Sequence, residues 1–346
     1  MDKAVDPAIR RVVVTGATGF LGKGILAALA RRDVEVIAAC RTPDKLPPGF
    51  VGRVLVGDLT DPGYRAELAE AGDAIAHAGT WGAFYGHAEA ERTQFFEPAR
   101  DLMDRAIAAG VKRFLLASTV AIGQRPADGG PVDDFSATQK VGFWPHLDLL
   151  VDLDAEMRAR ATPATRMVTM RLGHFVGPGN SLGVVPALIP RLGTRMVPWL
   201  GRGTARMPLV TARDMGEAFA LAATVDGLAP YESFNVHSGQ LPSLREVITA
   251  IARAAQKPLP LFSAPYPAGY AFGALMEALP FHPPFLTRSL VHVSEDWNTP
   301  IAHAAKVLGF APRDDWRAAV AASVAERRAM GFAAPALAQK LPAAAL

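Results

Sequence analysis

Residues 11–15, RVVVT, form a short β-branched run closed by glycine, the pattern of a strand buried on both faces of a parallel sheet. TGATGFLGKGILAALARR continues from it: Gly16, Gly19 and Gly22 punctuate a turn, and the Ala/Leu-rich stretch beyond predicts a helix through Arg32. Residues 141–157, VGFWPHLDLLVDLDAEM, predict another helix. There Leu147, Leu150, Val151 and Leu153 supply the apolar positions, while Asp148, Asp152 and Glu156 fall at i, i+4 and i+8 on one face. From about residue 180 short elements alternate with Pro-rich connectors such as GVVPALIPRLGTRMVPWLGRG, KPLPLFSAPYPAG and LPFHPPFLT, because proline ends helices and pre-sets turns. Residues 268–281, AGYAFGALMEALPF, approach a long apolar segment but stop short of the ~18 residues that a membrane span needs. They predict a buried or substrate-covering helix, with peripheral membrane contact as the alternative.

A strand, a glycine turn and a helix in that order make a pyrophosphate site. Glycine lets the backbone come close to the phosphates, and the free N–H groups and positive dipole end of the helix favour their charge. Composition narrows the picture only slightly. Half the residues are apolar and a fifth charged, as in a folded globular chain. Lys plus Arg exceeds Asp plus Glu by three (36 against 33) with no basic run, which gives no case for nucleic acid. The single cysteine, Cys40, excludes an internal disulfide framework and a Cys-rich metal site, and it suits a reducing cytoplasm. Residues 1–10 are polar and do not read as a signal peptide.

The glycine spacing TGxxGxxG, with the landmarks that follow it, resembles the extended short-chain dehydrogenase/reductase superfamily, which includes the NAD-dependent epimerases and dehydratases. VEVIAACR (34–41), VLVGDLTD (54–61), AIAHAG (74–79) and GVKRFLLASTVAIG (110–123) resemble its second to fifth strands. TMRLGHFVGPG (169–179), MPLVTARDMGEAFALA (207–222), ESFNVHSGQLPSLREVITAIARAA (232–255) and AAKVLGFAPRDDWRAAVAA (304–322) resemble later segments in order. The run from 268 to the Leu-Gly-Phe-Ala-Pro-Arg ending looks most like the 3β-hydroxysteroid dehydrogenase-like branch. The resemblance implies an α/β fold: a Rossmann-type doubly wound parallel sheet over residues 8–180, with 205–240 returning to it. Residues 181–204 and 241–335 then form a smaller C-terminal substrate-binding lobe.

It also implies a dinucleotide held by Thr15, Gly16, Thr18, Gly19, Phe20, Leu21 and Gly22, with Asp58 and Leu59 at the adenine and Ala78, Gly79 and Leu172 along the cofactor. At the end of the second strand an acidic residue would bind the ribose hydroxyls of NAD, and a basic one the 2′-phosphate of NADP. The chain has Arg41 there and no carboxylate before Asp44, which favours NADP with NAD as the alternative. A bulky apolar substrate of sterol, terpenoid or acyl type is implied by the branch. Phe262, Tyr266, Tyr270, Phe272, Met276, Phe281 and Phe285 suit an apolar pocket, as they would suit an ordinary core.

In the superfamily a tyrosine moves the hydroxyl proton, a lysine four residues later lowers its pKa, and a serine or threonine orients the substrate oxygen. Ser118 matches the last of these, with Thr119 beside it. The first tyrosine after it is Tyr231, and the next lysine, Lys140, follows Ser136 in a stretch that reads as loop. One alignment puts Trp144 and Asp148 in the dyad positions; the other, which Ala155-Glu156 favours, puts Asp148 and Asp152 there. If the carboxylate stripe faces a cleft, one member should protonate near neutrality; otherwise it is a solvated face balanced by Arg158 and Arg160. His174, in the segment that passes the nicotinamide, is a further proton carrier by residue type, whereas His77 reads as structural. His87, His282, His292 and His303 have no metal-ligand spacing.

Two classes of function remain open on these residues. One is an atypical reductase, epimerase or lyase that uses Ser118, Asp148 or Asp152, and His174. The other is a non-catalytic dinucleotide sensor or partner protein, with non-redox chemistry on the same fold as a third reading. A homodimer through cofactor-domain helices would be ordinary for the superfamily.

Overall fold

A computed structural model describes residues 4–181, 183–279 and 285–332. Phe281 and His282 lie outside the described residues. Strands β1 (Arg11–Thr15), β2 (Glu35–Cys40), β3 (Arg53–Val56), β4 (Ala74–His77), β5 (Arg113–Thr119), β6 (Arg166–Leu172) and β10 (Tyr231–Val236) form one parallel sheet in the order β10-β6-β5-β4-β1-β2-β3. The two-residue strands β7 (His174–Phe175) and β9 (Leu209–Val210) pair with each other, as do β8 (Trp199–Leu200) and β11 (Ser263–Ala264). The helices are α1 (Phe20–Leu29), α2 (Pro62–Ala71), α3 (Ala88–Glu91), α4 (Glu97–Ala108), α5 (Pro145–Arg160), α6 (Val184–Leu192) and α7 (Ala212–Thr224). They continue as α8 (Leu244–Ala255), α9 (Tyr266–Ala278), α10 (Arg288–Val293), α11 (Ala302–Leu308) and α12 (Trp316–Ala329).

Helices cover both faces of the sheet, which is why its strands carry continuous apolar runs rather than alternation. One face packs Val12 and Val14 with α1 and α7; the other packs Val13 and Ile75 with α2, α4 and α5. Glycines decide how close α1 and α7 come: a Cβ on Gly24 would lie 2.0 Å from the Ala212 carbonyl oxygen, and one on Gly216 2.1 Å from that of Gly24. A third apolar cluster joins α6, α8 and α12 through Ile189, Val247, Ile251, Val320 and Val324. The chain leaves β1 toward β2 and β3, then returns to the other side of β1 as β4. The switch point between β1 and β4 is where open α/β sheets bind ligands.

Several elements are shorter than the sequence predicts, for local reasons. The first helix ends at Leu29 and passes into turns through Arg32, whose N–H donates to the Leu29 carbonyl. The third strand stops at Val56 because Asp61 caps α2, accepting the Gly63 N–H at 2.8 Å, with Pro62 fixing the first turn. Beyond β5 the chain turns through a short 3-10 segment, Val120–Ile122, into a loop bound to the sheet edge. In that loop Asp134 is buried and accepts the Asn235 N–H at 2.5 Å. Burial pushes its carboxyl up to about 6, against the lowering effects of that N–H, His303 and Arg171.

Candidate active site

The turn from β1 to α1 sorts its glycines by role. Gly16 has φ +63°, and a Cβ there would lie 2.7 Å from the Gly79 Cα and 2.8 Å from the Ala78 carbonyl oxygen. A Cβ on Gly22 would lie 2.2 Å from the Gly16 carbonyl oxygen. Both glycines are therefore required by the protein's own packing. Gly19 is not: its Cβ would approach only the Gly16 carbonyl oxygen, at 3.2 Å, and would otherwise enter open space. Gly19 is also the N-cap of α1, which has no side-chain cap and no acid in its first turn. Free N–H groups, an uncompensated dipole and room for a close approach fit an anion such as a dinucleotide pyrophosphate.

The other predicted cradle residues divide into outward-facing and structural. Thr15 is fully buried; its hydroxyl lies 2.9 Å from His77 Nδ1 and accepts the Gly79 N–H at 3.0 Å. Its side chain joins the ends of β1 and β4 instead of facing a ligand. Leu21 and Leu172 likewise point into the core, and the Phe20 ring packs on Phe175 at 5.9 Å. Thr18, Leu59, Ala78 and Gly79 are half-buried around the switch point. Arg41 is 77% exposed at the end of β2, and its guanidinium reaches Asp58 at 3.4 Å. Asp58 also accepts the Thr60 N–H and hydroxyl, and its carboxyl is held below its ordinary range, first by the Thr60 N–H.

At the carboxyl edge of β5, Ser118 is 6% exposed and its hydroxyl has no hydrogen-bond partner among the described residues. His174 presents a buried Nε2 that likewise has no partner among the described residues, and burial pushes the ring down to about 4. It is neutral at physiological pH, so the proton exchange near neutrality expected of it does not follow; it can act as a neutral donor or acceptor. His77 is likewise pushed down to about 4 by burial and serves the Thr15 contact, consistent with a structural role.

Both aspartates of the predicted dyad already have partners. Asp148 accepts the Val141 N–H at 2.7 Å through one oxygen and the Gly142 N–H at 2.9 Å through the other. It thereby ties the entering loop to α5. Asp152 pairs with Lys140 at 2.6 Å, so that lysine leaves Ser136, whose hydroxyl instead donates to Asp133. Glu156 pairs with Arg100 at 3.1 Å and Arg160 at 2.9 Å. The stripe is thus neutralised by Lys140, Arg100 and Arg160. Arg158, expected to share in this, turns to Tyr231, lying 4.3 Å over its ring, and to Asp154. The buried Asp154 accepts the Tyr231 hydroxyl at 2.6 Å.

The sequence reading passed over a better-formed acid–base pair on the same helix. His146, in the first turn of α5, has its Nδ1 2.7 Å from Glu91, whose side chain is fully buried. The second Glu91 oxygen accepts the Ala83 N–H at 2.6 Å, and Trp144 Nε1 donates to the Ala83 carbonyl at 2.9 Å. These bonds bring the imidazole onto the loop that follows β4. A Cβ on Gly82 would lie 3.0–3.1 Å from three atoms of the ring. A carboxylate at Nδ1 fixes one tautomer and leaves Nε2 to exchange a proton, an arrangement that serves general acid–base chemistry. No spacing rule links positions 91 and 146; the signal in the chain is an imidazole two residues before Asp148, which one of the two alignments puts at the tyrosine position.

Beside the pair lies an aromatic wall. Trp144 stacks on Phe84 at 5.6 Å, Phe143 meets Tyr270 at 5.7 Å, and His292 stands 6.4 Å from Trp144. Of the expected apolar set, Tyr266, Tyr270, Met276 and Phe285 are half-buried. Phe262 (49%) and Phe272 (37%) are exposed. A cavity of about 530 Å³ takes in Tyr266 of that set and mixes apolar lining, with Leu200 and Ala205, with the charged Arg125, Arg206, Glu295 and Asp296. Among the described residues no group of three His, Cys, Asp or Glu side chains could hold a metal ion, and no helix is long and apolar enough to cross a membrane.

The comparisons with known proteins agree with this geometry. A model of the NAD dependent epimerase/dehydratase family matches residues 12–236. The 2-alkyl-3-oxoalkanoate reductase of Stenotrophomonas maltophilia (strain K279a) is 25% identical over 299 residues, 78% of this chain and 83% of that protein. A 3-beta-hydroxysteroid dehydrogenase of Mycolicibacterium neoaurum is 33% identical over 129 residues, 34% of this chain and 35% of its own. Among solved structures, MoeE5 in complex with UDP-glucuronic acid and NAD superposes with a TM-score of 0.71 at 20% identity, covering 92% of this chain and 99% of that one. That last likeness is one of fold.

Proposed function

Because the chain belongs to the NAD dependent epimerase/dehydratase family, we propose that it is an atypical extended reductase interconverting a hydroxyl and a carbonyl on a bulky apolar substrate. The observation that carries this reading is the uncapped α1 with Gly19 open to an approaching phosphate. A bound nicotinamide dinucleotide would supply or accept hydride at the substrate carbon. Gly19 and the first N–H groups of α1 would hold its pyrophosphate, and Arg41 its 2′-phosphate, so NADP is preferred over NAD. The unpartnered Ser118 hydroxyl would orient the substrate oxygen. His146, its Nδ1 held by Glu91, would exchange the oxygen-bound proton in place of the missing phenol. The apolar substrate class is supported by the wall of Trp144, Phe84, Phe143 and Tyr270, and by the names of the two curated relatives.

The test is turnover of a panel of apolar ketones and alcohols, with dinucleotide affinity measured separately by fluorescence titration. Ser118→Ala and His146→Asn should lose turnover while binding NADPH as the parent does, and Arg41→Ala should weaken NADPH more than NADH. Unchanged turnover in both catalytic variants would sink the assignment. A second reading, a non-catalytic dinucleotide sensor, is favoured by the engagement of Asp148 and Asp152 with backbone and Lys140. Tight NADPH binding with no hydride transfer to any member of the panel would support it.

A further inference from the structure

The helix α9 breaks the rule that a surface helix shows a polar face to water. It rests on the protein through Gly269 and Gly273. A Cβ on the first would lie 3.1 Å from Leu200, and one on the second 2.9 Å from the Arg288 backbone N. The opposite side carries Ala268, Ala271, Phe272, Leu275 and Ala278, all exposed and none polar, spaced at i, i+3, i+4, i+7 and i+10. Leu275 is 54% exposed. The helix's one charged residue, Glu277, is only 10% exposed and is bound to Arg288 at 2.7 Å. The chain entering α9 continues the pattern, with Leu261 72% and Phe262 49% exposed. Through the pairing of β11 with β8 this stretch adjoins the 193–198 loop, where Met196 is 56% exposed.

Within the segments that carry these apolar side chains, the charges not turned inward are cations. Among the described residues of 193–201 and 256–279 the charged side chains are Arg195, Lys257 and the inward-turned Glu277. Arg195 is exposed and has no ion pair among the described residues, and Lys257 sits 5.6 Å over the Phe332 ring. We infer that α9 and the 257–262 loop form a docking surface for an anionic bilayer, with Leu261, Phe262, Phe272 and Leu275 entering the headgroup boundary and Arg195 and Lys257 facing the lipid charge. Apolar insertion and cationic attraction together are what interfacial binding requires. A second copy of the chain fits less well, because a two-fold interface on this patch would offer Arg195 and Lys257 no outward-turned carboxylate of the same patch as a partner.

Co-sedimentation of the full chain with lipid vesicles tests the inference. Vesicles with roughly one-third phosphatidylglycerol should retain the protein, pure phosphatidylcholine vesicles should retain it several-fold less, and high salt should release much of it. Leu275→Glu and Leu261→Glu, tested separately, should each lower partitioning about tenfold or more, and Arg195→Glu several-fold. Their thermal midpoints should stay near the parent's, since each residue is exposed. Absence of binding to the anionic vesicles overturns the proposal, and so does binding that ignores both leucine substitutions. Sedimentation equilibrium supplies a further refutation: a dimer of the parent chain that Leu275→Glu dissociates would make a second copy the occupant of this face.

Discussion

Gly19 and Gly22 lie one helical turn apart, and the structure predicts opposite consequences for the same substitution. At Gly22 a Cβ would sit 2.2 Å from the Gly16 carbonyl oxygen and 2.8 Å from the Ala17 Cα, both backbone atoms that cannot swing away. Gly22→Ala should therefore destabilise the fold by about 1–3 kcal/mol, the usual penalty for overpacking, and lower the thermal midpoint by several degrees. At Gly19 the backbone is already extended (φ −77°, ψ 173°) and the only neighbour is the Gly16 carbonyl oxygen at 3.2 Å. Alanine is a poorer N-cap than glycine, but it removes unfolded-state entropy worth about 0.4–1 kcal/mol, so the net change in stability should be small. The added methyl would, however, project where the pyrophosphate must approach the α1 N–H groups. A loss of affinity of at least about tenfold, near 1.4 kcal/mol, is expected for NADPH. Thermal unfolding and fluorescence titration of both variants separate the effects. If Gly19→Ala binds NADPH like the parent, or melts as low as Gly22→Ala, the assignment of Gly19 to ligand approach fails.

Three further outcomes follow from named contacts. His146→Asn and Glu91→Gln should each reduce kcat by about 10²–10⁴-fold with NADPH affinity retained, measured by steady-state kinetics and titration; equal kcat in parent and His146→Asn would remove the imidazole from the chemistry. Asp148→Ala strands the Val141 and Gly142 N–H groups, so it should cost about 1–3 kcal/mol in denaturant unfolding; full stability with abolished turnover would instead make that carboxylate chemical. Asp134 has a folded-state pKa of about 6 against an ordinary 3.8, so the native state binds the extra proton between those values. Its stabilising contribution is complete below the lower value and is lost as pH rises through the higher one, by an amount on the order of 1–3 kcal/mol. Unfolding free energies across that window should show the decline in the parent and a flatter profile in Asp134→Asn; identical profiles would refute the shift.

The parts of this molecule that were legible in the chain are those that depend on local pattern. β-branched runs gave the strands because both faces of the sheet are covered, and TGxxGxxG gave the turn because Gly16 and Gly22 have no room for a side chain. Spacing alone could not rank the three glycines. Only the surroundings show that the protein itself requires two of them and leaves Gly19 open. The helix 145–160 was legible too, down to its carboxylate stripe, but its chemistry was not. Whether Asp148 and Asp152 are free depends on Val141, Gly142 and Lys140, all of which come from the irregular loop before the helix. Likewise Phe272 reads as a pocket residue by type, and only the docking of α9 through two glycines turns it outward.

Under the proposed function, the same loop accounts for a cofactor cradle kept beside a different proton carrier. Asp148, which both alignments put in a dyad position, holds the entering chain with its two carboxylate oxygens. That anchoring, with the Trp144–Ala83 bond, fixes the start of α5 against the loop after β4. The first turn of the helix then lies beside Gly82, which has no side chain to exclude the His146 ring, and beside Glu91, buried and already bound to Ala83. A buried carboxylate 2.7 Å from Nδ1 orients the imidazole without recourse to a lysine. Under the proposed function, the engagement of Asp148 and Asp152 and the histidine–glutamate contact belong to one arrangement of this loop. Restoring Tyr and Lys at 148 and 152 should therefore not restore ordinary chemistry: the Asp148 bonds would be lost, the start of α5 would loosen, and His146 would leave Glu91. Turnover of Asp148→Tyr/Asp152→Lys that exceeded the parent's would show this coupling to be wrong.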